Sequence, residues 1–167
     1  MADMVEQENT VMAYYDRKST RIPQYDYSSE NYYFITICTH NRKCVFGSPD
    51  RLTSAGKIAF AHIVDIDKHY DHVFIDKFVV MPNHIHMILV LKSGNRADAE
   101  QIIAQYKSGV TREVRKMIPG IKLWQRSFHD HVIRNQKSYE NIWLYIEGNP
   151  QNWCQDCFYT EFTGFVT

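Results

Sequence analysis

The chain of 167 residues contains no apolar run approaching the roughly 20 residues that a membrane-spanning helix needs. Its N-terminus, Met1-Ala2-Asp3-Met4-Val5-Glu6-Gln7-Glu8-Asn9, has neither the basic start nor the apolar stretch of a secretory signal. There is no internal repeat, no low-complexity tract and no net charge, 19 Lys and Arg balancing 19 Asp and Glu. These absences argue against solenoids and membrane helices. A hydrophobic content of 44% with 23% charged residues is that of one ordinary globular domain with a sizeable core. The expected setting is cytoplasmic, with no membrane partner.

Cysteine is sparse. Cys154-Gln155-Asp156-Cys157 has knuckle spacing, and a zinc site would need two more ligands, for which Cys38 and Cys44 are the available thiols. Cys38 lies in the apolar run Tyr33-Phe34-Ile35-Thr36-Ile37-Cys38, where a buried structural thiol is common. Free thiols are the favoured reading over zinc.

The zero net charge hides a segregation. Lys107, Arg112, Arg115, Lys116, Lys122, Arg126, Arg134 and Lys137 face only Glu113 and Asp130 in the same stretch, whereas no Lys or Arg follows Ser138. A second basic group, Arg17, Lys18 and Arg21, lies among Tyr14, Tyr15, Tyr25 and Tyr27. Cations interleaved with rings suit nucleic acid, the cations tracking phosphates and the rings stacking on bases. A solvated helix face is the competing reading.

Residues 1–30 read as an extended arm and 31–167 as a single domain. Tyr32–Thr39 reads as a strand, followed by a turn at Gly47-Ser48-Pro49-Asp50 and a helix opened by Asp50 or Thr53 and running through His69. Val73–Val80 and His84–Leu91 form a tightly connected antiparallel pair. A helix is expected from about Ala97 to Met117, stopped by Pro119-Gly120. Short extended segments follow at Lys122–Trp124 and Phe128–Ile133. A last helix runs from Ser138, with a Ser-x-x-Asn cap, to about Gly148. This order is that of an α+β, ferredoxin-like (split βαβ) sandwich with an antiparallel sheet and an added C-terminal helix.

Within the strand pair, Met81-Pro82-Asn83-His84-Ile85-His86 places His84 and His86 on one face and Ile85 on the other. Two adjacent imidazoles can chelate one divalent cation. On the last helix Tyr145 and Asn149 stand one turn apart on one side. If that side meets the histidine face, two His and a neutral oxygen leave coordination positions open, as a catalytic metal requires. Such a metal can polarise a phosphate while the phenol attacks phosphorus. The ordinary alternatives are satisfied core histidines, a packing tyrosine and a helix-stop asparagine. His129-Asp130-His131 repeats the spacing and stays an alternative ligand pair.

Met81-Pro82-Asn83-His84-Ile85-His86 resembles the His-hydrophobe-His element of single-tyrosine HUH transposases, in the context of their REP-associated branch. The run from Trp124 to Asn135 is similar to that branch's Trp-Gln, aromatic, His-x-Ile-Arg-Asn block. Tyr145-Ile146-Glu147-Gly148-Asn149-Pro150 is similar to its closing element. The resemblance spans roughly residues 30–153. It implies a nuclease that cuts and rejoins single-stranded or hairpin DNA of the REP type, with Tyr145 as the nucleophile forming a 5′-phosphotyrosine. It also implies His84, His86 and Asn149 as ligands of Mg²⁺ or Mn²⁺. Insertion-sequence relatives commonly carry Gln where this chain has the shorter Asn149. Lys107, Arg112, Arg115, Lys116, Arg126 and Arg134 are the expected DNA contacts. A bacterial-type, nucleoid-associated monomer or homodimer follows from the same likeness. Two rival readings are a non-catalytic nucleic-acid binder stacking bases on Tyr32, Tyr33 and Phe34, and a structural zinc protein.

Overall fold

The computed structural model describes residues 26–160. Its main sheet consists of β1 (Asn31–Cys38), β4 (Val73–Val80), β5 (His84–Leu91) and β6 (His129–Ile133), in the order β4-β5-β1-β6 with all neighbours antiparallel. A small ribbon of β2 (Gly47–Ser48) and β3 (Arg51–Leu52) stands apart. The first strand, β1, lies inside the sheet between β5 and the last strand, β6, while β4 and β6 form the edges, so the architecture is ferredoxin-like α+β. Among the described residues no helix is long and apolar enough to cross a membrane.

One layer of helices covers one face. Helix α1 (Ser54–Val64) starts at Thr53, whose hydroxyl accepts from the Gly56 amide, and a break at Asp65 separates it from the short α2 (Ile66–His69). The expected single helix through His69 is therefore two pieces. Helix α3 (Ala99–Met117) opens with a full capping box between Asp98 and Gln101. Ile102, Ile103, Tyr106, Val110 and Val114 pack with Tyr33, Ile35, Ile37, Ile85, Met87 and Leu89 into the larger core. Gly109 permits the close approach of α3 to α1, since a Cβ there would meet the His62 ring at 2.9 Å.

The opposite parity of the strands faces helix α4 (Gln136–Gly148). Phe34, Ile88, Val90 and Ile133 meet Ile142 and Ile146 in a second, smaller core. The cap of α4 is Asn135, whose side chain accepts from the Ser138 amide, so the helix begins two residues before the expected Ser138. A bulge between Ile75 and Lys77 lets consecutive residues of β4 reach the same helix. Asp76 accepts from the Tyr139 hydroxyl at 2.7 Å, while Lys77 pairs with Glu147 and lies 3.9 Å over the Trp143 ring.

Every residue of β5 is buried, because the sheet covers its edges and helices cover both faces. Period-two alternation then leaves His84 and His86 as the polar members of the α4 face. At the domain's start Tyr27 already belongs to the core edge, packing on Tyr33 and accepting from the Ala99 amide.

Candidate active site

His84 and His86 sit at the head of β5, opposite Cys38 and Thr36 of β1, with ring centroids 4.5 Å apart and no solvent exposure. Each ring is held through Nδ1. Asn83 Oδ1 lies 2.9 Å from Nδ1 of His84, and Thr36 Oγ1 lies 2.8 Å from Nδ1 of His86. Both Nε2 atoms therefore turn toward α4 and the segment after it. There the Tyr145 hydroxyl stands 3.4 Å from His86 Nε2, and Asn149 is buried one helical turn on.

A fifth residue completes the cluster. Asp156 follows a short 3₁₀ turn, Trp153–Gln155, and its side chain is 1% exposed. Its Oδ2 accepts from Asn149 Nδ2 at 2.6 Å and from the Tyr145 hydroxyl at 3.4 Å, and lies 3.9 Å from His84 Nε2. Its Oδ1 accepts from the Phe158 amide at 2.7 Å. Phe158 packs over His84 at 4.7 Å, Trp153 lies 5.9 Å from it, and Arg42 donates to the Cys157 carbonyl, so residues 153–158 roof the histidines.

Burial is the dominant electrostatic influence. It pulls the His84 pKa down to about 4, against the opposing charge of Asp156 and the Asn149 amide. Burial and then the neighbouring His84 hold His86 well below the ordinary imidazole value. Both rings are neutral at pH 7. Two polar atoms in this closed space, His84 Nε2 and Asn149 Oδ1, have no hydrogen-bond partner. With its one hydrogen on Nδ1, facing Asn83 Oδ1, the neutral ring has none on Nε2 to offer Asn149, so two lone pairs remain unanswered. Orphaned lone pairs beside a carboxylate are what a divalent cation satisfies. The ligand atoms of His84, His86 and Asp156 all lie within 4.8 Å of one another, the one such three-residue group among the described residues.

The sequence matches the family described as Transposase IS200 like over residues 27–149. The chain belongs to this family. It is 34% identical over 169 aligned positions to an uncharacterized protein of Haemophilus influenzae (strain Rd), covering 87% of this chain and 94% of that one. It is 29% identical to the REP-associated tyrosine transposase of Escherichia coli K12, over 71% of this chain and 65% of that protein. The structure of a REP-associated tyrosine transposase bound to a REP hairpin matches with a TM-score of 0.55 at 21% identity, over 88% of this chain and 93% of that chain. A transposase candidate from Deinococcus radiodurans matches with a TM-score of 0.52 at 17% identity, over 77% and 95%. At those identities the structural likeness concerns the fold.

In this IS200-like transposase the second histidine pair lies on the same sheet face but one strand beyond β1, His129 opposite Thr36 and His131 opposite Phe34, outside the converging group. The four cysteines are free thiols, and burial pushes the Cys38 thiol up to about 12. Of the rings proposed for base stacking, Tyr33 and Phe34 are buried in the two cores.

The basic residues do not form one patch. Lys107 is a clamp, donating to the carbonyls of Gln125 and Ser127 while Trp124 Nε1 donates to the Lys107 carbonyl. Arg112 and Arg115 border a shallow groove with Thr111 and Trp124, and Lys116 is exposed beside them. That groove lies on the α1/α3 layer, across the sheet from Tyr145. Arg126 is exposed near the histidine end of β6 and Arg134 is exposed at its far end. Arg17, Lys18 and Arg21, with Tyr14, Tyr15 and Tyr25, lie outside the described residues, whereas Tyr27 packs on Tyr33.

Asp156 is the site residue that sequence reasoning missed. It sits inside the Cys-Gln-Asp-Cys run, whose thiols drew the reading, and no periodicity links position 156 to β5. Asn83 and Thr36 were in view but had no assigned role. A hydrogen-bonding side chain immediately before a strand histidine was the available signal for Asn83.

Proposed function

We propose that this protein is a metal-dependent single-strand DNA endonuclease and strand transferase with Tyr145 as its nucleophile. The observation that carries the reading is the meeting of the Tyr145 hydroxyl with two neutral imidazoles, a buried carboxylate and an orphaned amide oxygen. His84, His86, Asn149 and Asp156 would hold a divalent cation, Mg²⁺ or Mn²⁺, which when bound polarises a phosphate oxygen and stabilises the charge that builds on it.

The chain's own groups account for the rest. A free phenol has a pKa near 10, so only about one in a thousand is ionised at neutral pH. The Asp156 carboxylate is within reach of that hydrogen and accepts it. The Tyr145 oxygen then bonds to phosphorus, the bond from phosphorus to the 3′-oxygen breaks, and the proton passes on to give a free 3′-hydroxyl. The product is a 5′-phosphotyrosine. It keeps the energy of the broken phosphodiester, so a 3′-hydroxyl reverses the step with no nucleotide cofactor.

The substrate class is single-stranded or hairpin DNA of the REP type. Similarity to the E. coli REP-associated transposase supports this, as does the fold shared with a hairpin-bound relative. Unpaired nucleotides also expose a backbone that a duplex shields. Since the histidines are fully buried beneath Phe158, a phosphate reaches them when residues 153–160 move aside. The test is incision of end-labelled hairpin oligonucleotides with Mg²⁺, Mn²⁺ or EDTA, comparing wild type with His84→Ala. Metal-dependent incision lost in the variant supports the reading. Binding without incision across a varied hairpin set would leave a DNA-binding protein instead.

A further inference from the structure

We propose that Asn83 is a positioning residue that holds His84 in its Nδ1–H tautomer and so presents a bare Nε2 lone pair to the centre of the site. The argument begins with the amide itself. Asn83 is fully buried, and its Nδ2 donates to the carbonyl oxygens of Arg42 at 3.1 Å and Phe158 at 2.8 Å, and to Thr160 Oγ1 at 3.3 Å. Carbonyl oxygens only accept, so this end of the amide is nitrogen and the other end is oxygen. An amide oxygen also only accepts. The hydrogen in the 2.9 Å contact between Asn83 Oδ1 and His84 Nδ1 therefore belongs to the imidazole.

A neutral imidazole carries one hydrogen. With that hydrogen on Nδ1, Nε2 has none, and Nε2 is the atom left buried without a partner. Burying such an atom unsatisfied is costly, so its retention points to a ligand. His86 differs in an instructive way. Its Nδ1 meets the Thr36 hydroxyl, which both donates and accepts, so that contact alone permits either tautomer. Asn83 removes the choice at His84.

Backbone geometry locks the device. Asn83 ends the Met81-Pro82-Asn83 connection between β4 and β5, and its carbonyl accepts from both the amide and the hydroxyl of Thr39. Asn41 and Arg42 both adopt left-handed φ of 53°, a conformation side chains other than glycine rarely take, and it is in this turn that the Arg42 carbonyl accepts from the amide. The grip on the Phe158 carbonyl also fixes the segment that bears Asp156 two residues earlier. One side chain thus orients a nitrogen ligand and tethers the roof over it. Its consequence for metal affinity rests on the proposed metal site; the tautomer itself does not.

The test is a long-range ¹H–¹⁵N correlation spectrum of the metal-free protein labelled on histidine nitrogen, with His84 assigned by its absence in His84→Gln. Wild type is expected to show a protonated Nδ1 and a bare Nε2 for this ring. Asn83→Leu, which offers no acceptor, is expected to mix or reverse the tautomer and to weaken Mn²⁺ binding in calorimetry about 10- to 100-fold. Asn83→Asp, which keeps an acceptor toward Nδ1 but loses the Nδ2 tether to Arg42 and Phe158, is expected to keep the Nδ1–H tautomer without restoring full Mn²⁺ affinity. An Nε2–H tautomer in wild type overturns the proposal even if Asn83→Leu does not fold. So does an unchanged tautomer in a folded Asn83→Leu. A wild type with the Nδ1–H tautomer that binds no Mn²⁺ would instead refute the metal site and leave the assignment of Asn83 standing.

Discussion

His84 shows how burial and function pull on one residue. Its pKa is pulled down to about 4 by burial, whereas an unfolded histidine titrates near 6.5. The unfolded chain therefore binds the proton more readily between those values. In the metal-free protein the neutral buried ring contributes stability above pH 6.5, and this is lost as the pH falls through about 4. The loss is on the order of 3 kcal/mol. Urea midpoints in EDTA at pH 7.5 and 4.5 should show it, with a smaller drop in His84→Gln. Asp156→Asn keeps the shape and removes the charge. It should weaken Mn²⁺ binding at least tenfold by calorimetry while leaving the unfolding midpoint within about 1 kcal/mol of wild type. Unchanged affinity would remove Asp156 from the ligand set. The meeting of His84, His86, Tyr145 and Asn149 was legible because strand period two and helix spacing four are rigid rules. Asp156 obeys neither, arriving on a segment whose path is set by tertiary contacts from Asn83 and Arg42.

Among the elements, helix α4 carries Tyr145 and rests on little apolar surface. Ile142 and Ile146 are its two fully covered side chains, and three polar ties to β4 supplement them. Ile146→Ala should cost about 2–5 kcal/mol, because a cavity opens where the helix meets Phe34 and Ile88. Incision should fall more than DNA binding does, since the adjacent Tyr145 loses its fixed position. A thermal melt and a gel-shift on the same preparation check both. The bounds of β4 and β5 were readable because β-branched and apolar runs flank a proline turn. The start of α4 was not, since Asn135 and Ser138 are both good caps and only the fold decides that Asn135 turns back to the Ser138 amide. The break at Asp65 likewise has no local helix-stopping residue, neither Gly nor Pro, to announce it.

For the whole molecule, the strand order separates chemistry from much of the positive charge. Tyr145 lies on one side of the sheet, while Arg112, Arg115 and Lys116 lie on the other, with Arg126 near the edge between. A strand contacting both must bend around the Trp124–Phe128 segment that Lys107 clamps. Arg126→Ala and Arg115→Ala should each lower DNA affinity for all sequences alike and reduce the salt slope by about one counterion. Fluorescence anisotropy over a salt series measures this, and an unchanged slope would place that residue off the DNA path. The topology was legible from the element order alone; the division of the basic residues between layers was not, because charge runs carry no information about which face a helix turns outward. The central claim is that Tyr145 is the nucleophile. It is tested most directly by incubating wild type and Tyr145→Phe with labelled single-stranded hairpin DNA and Mn²⁺, then resolving the products under denaturing conditions. The account predicts a covalent protein–DNA band in wild type, joined through the DNA 5′ end, and none in a Tyr145→Phe protein that still binds. Incision by pure Tyr145→Phe, or an adduct on another residue, would contradict it.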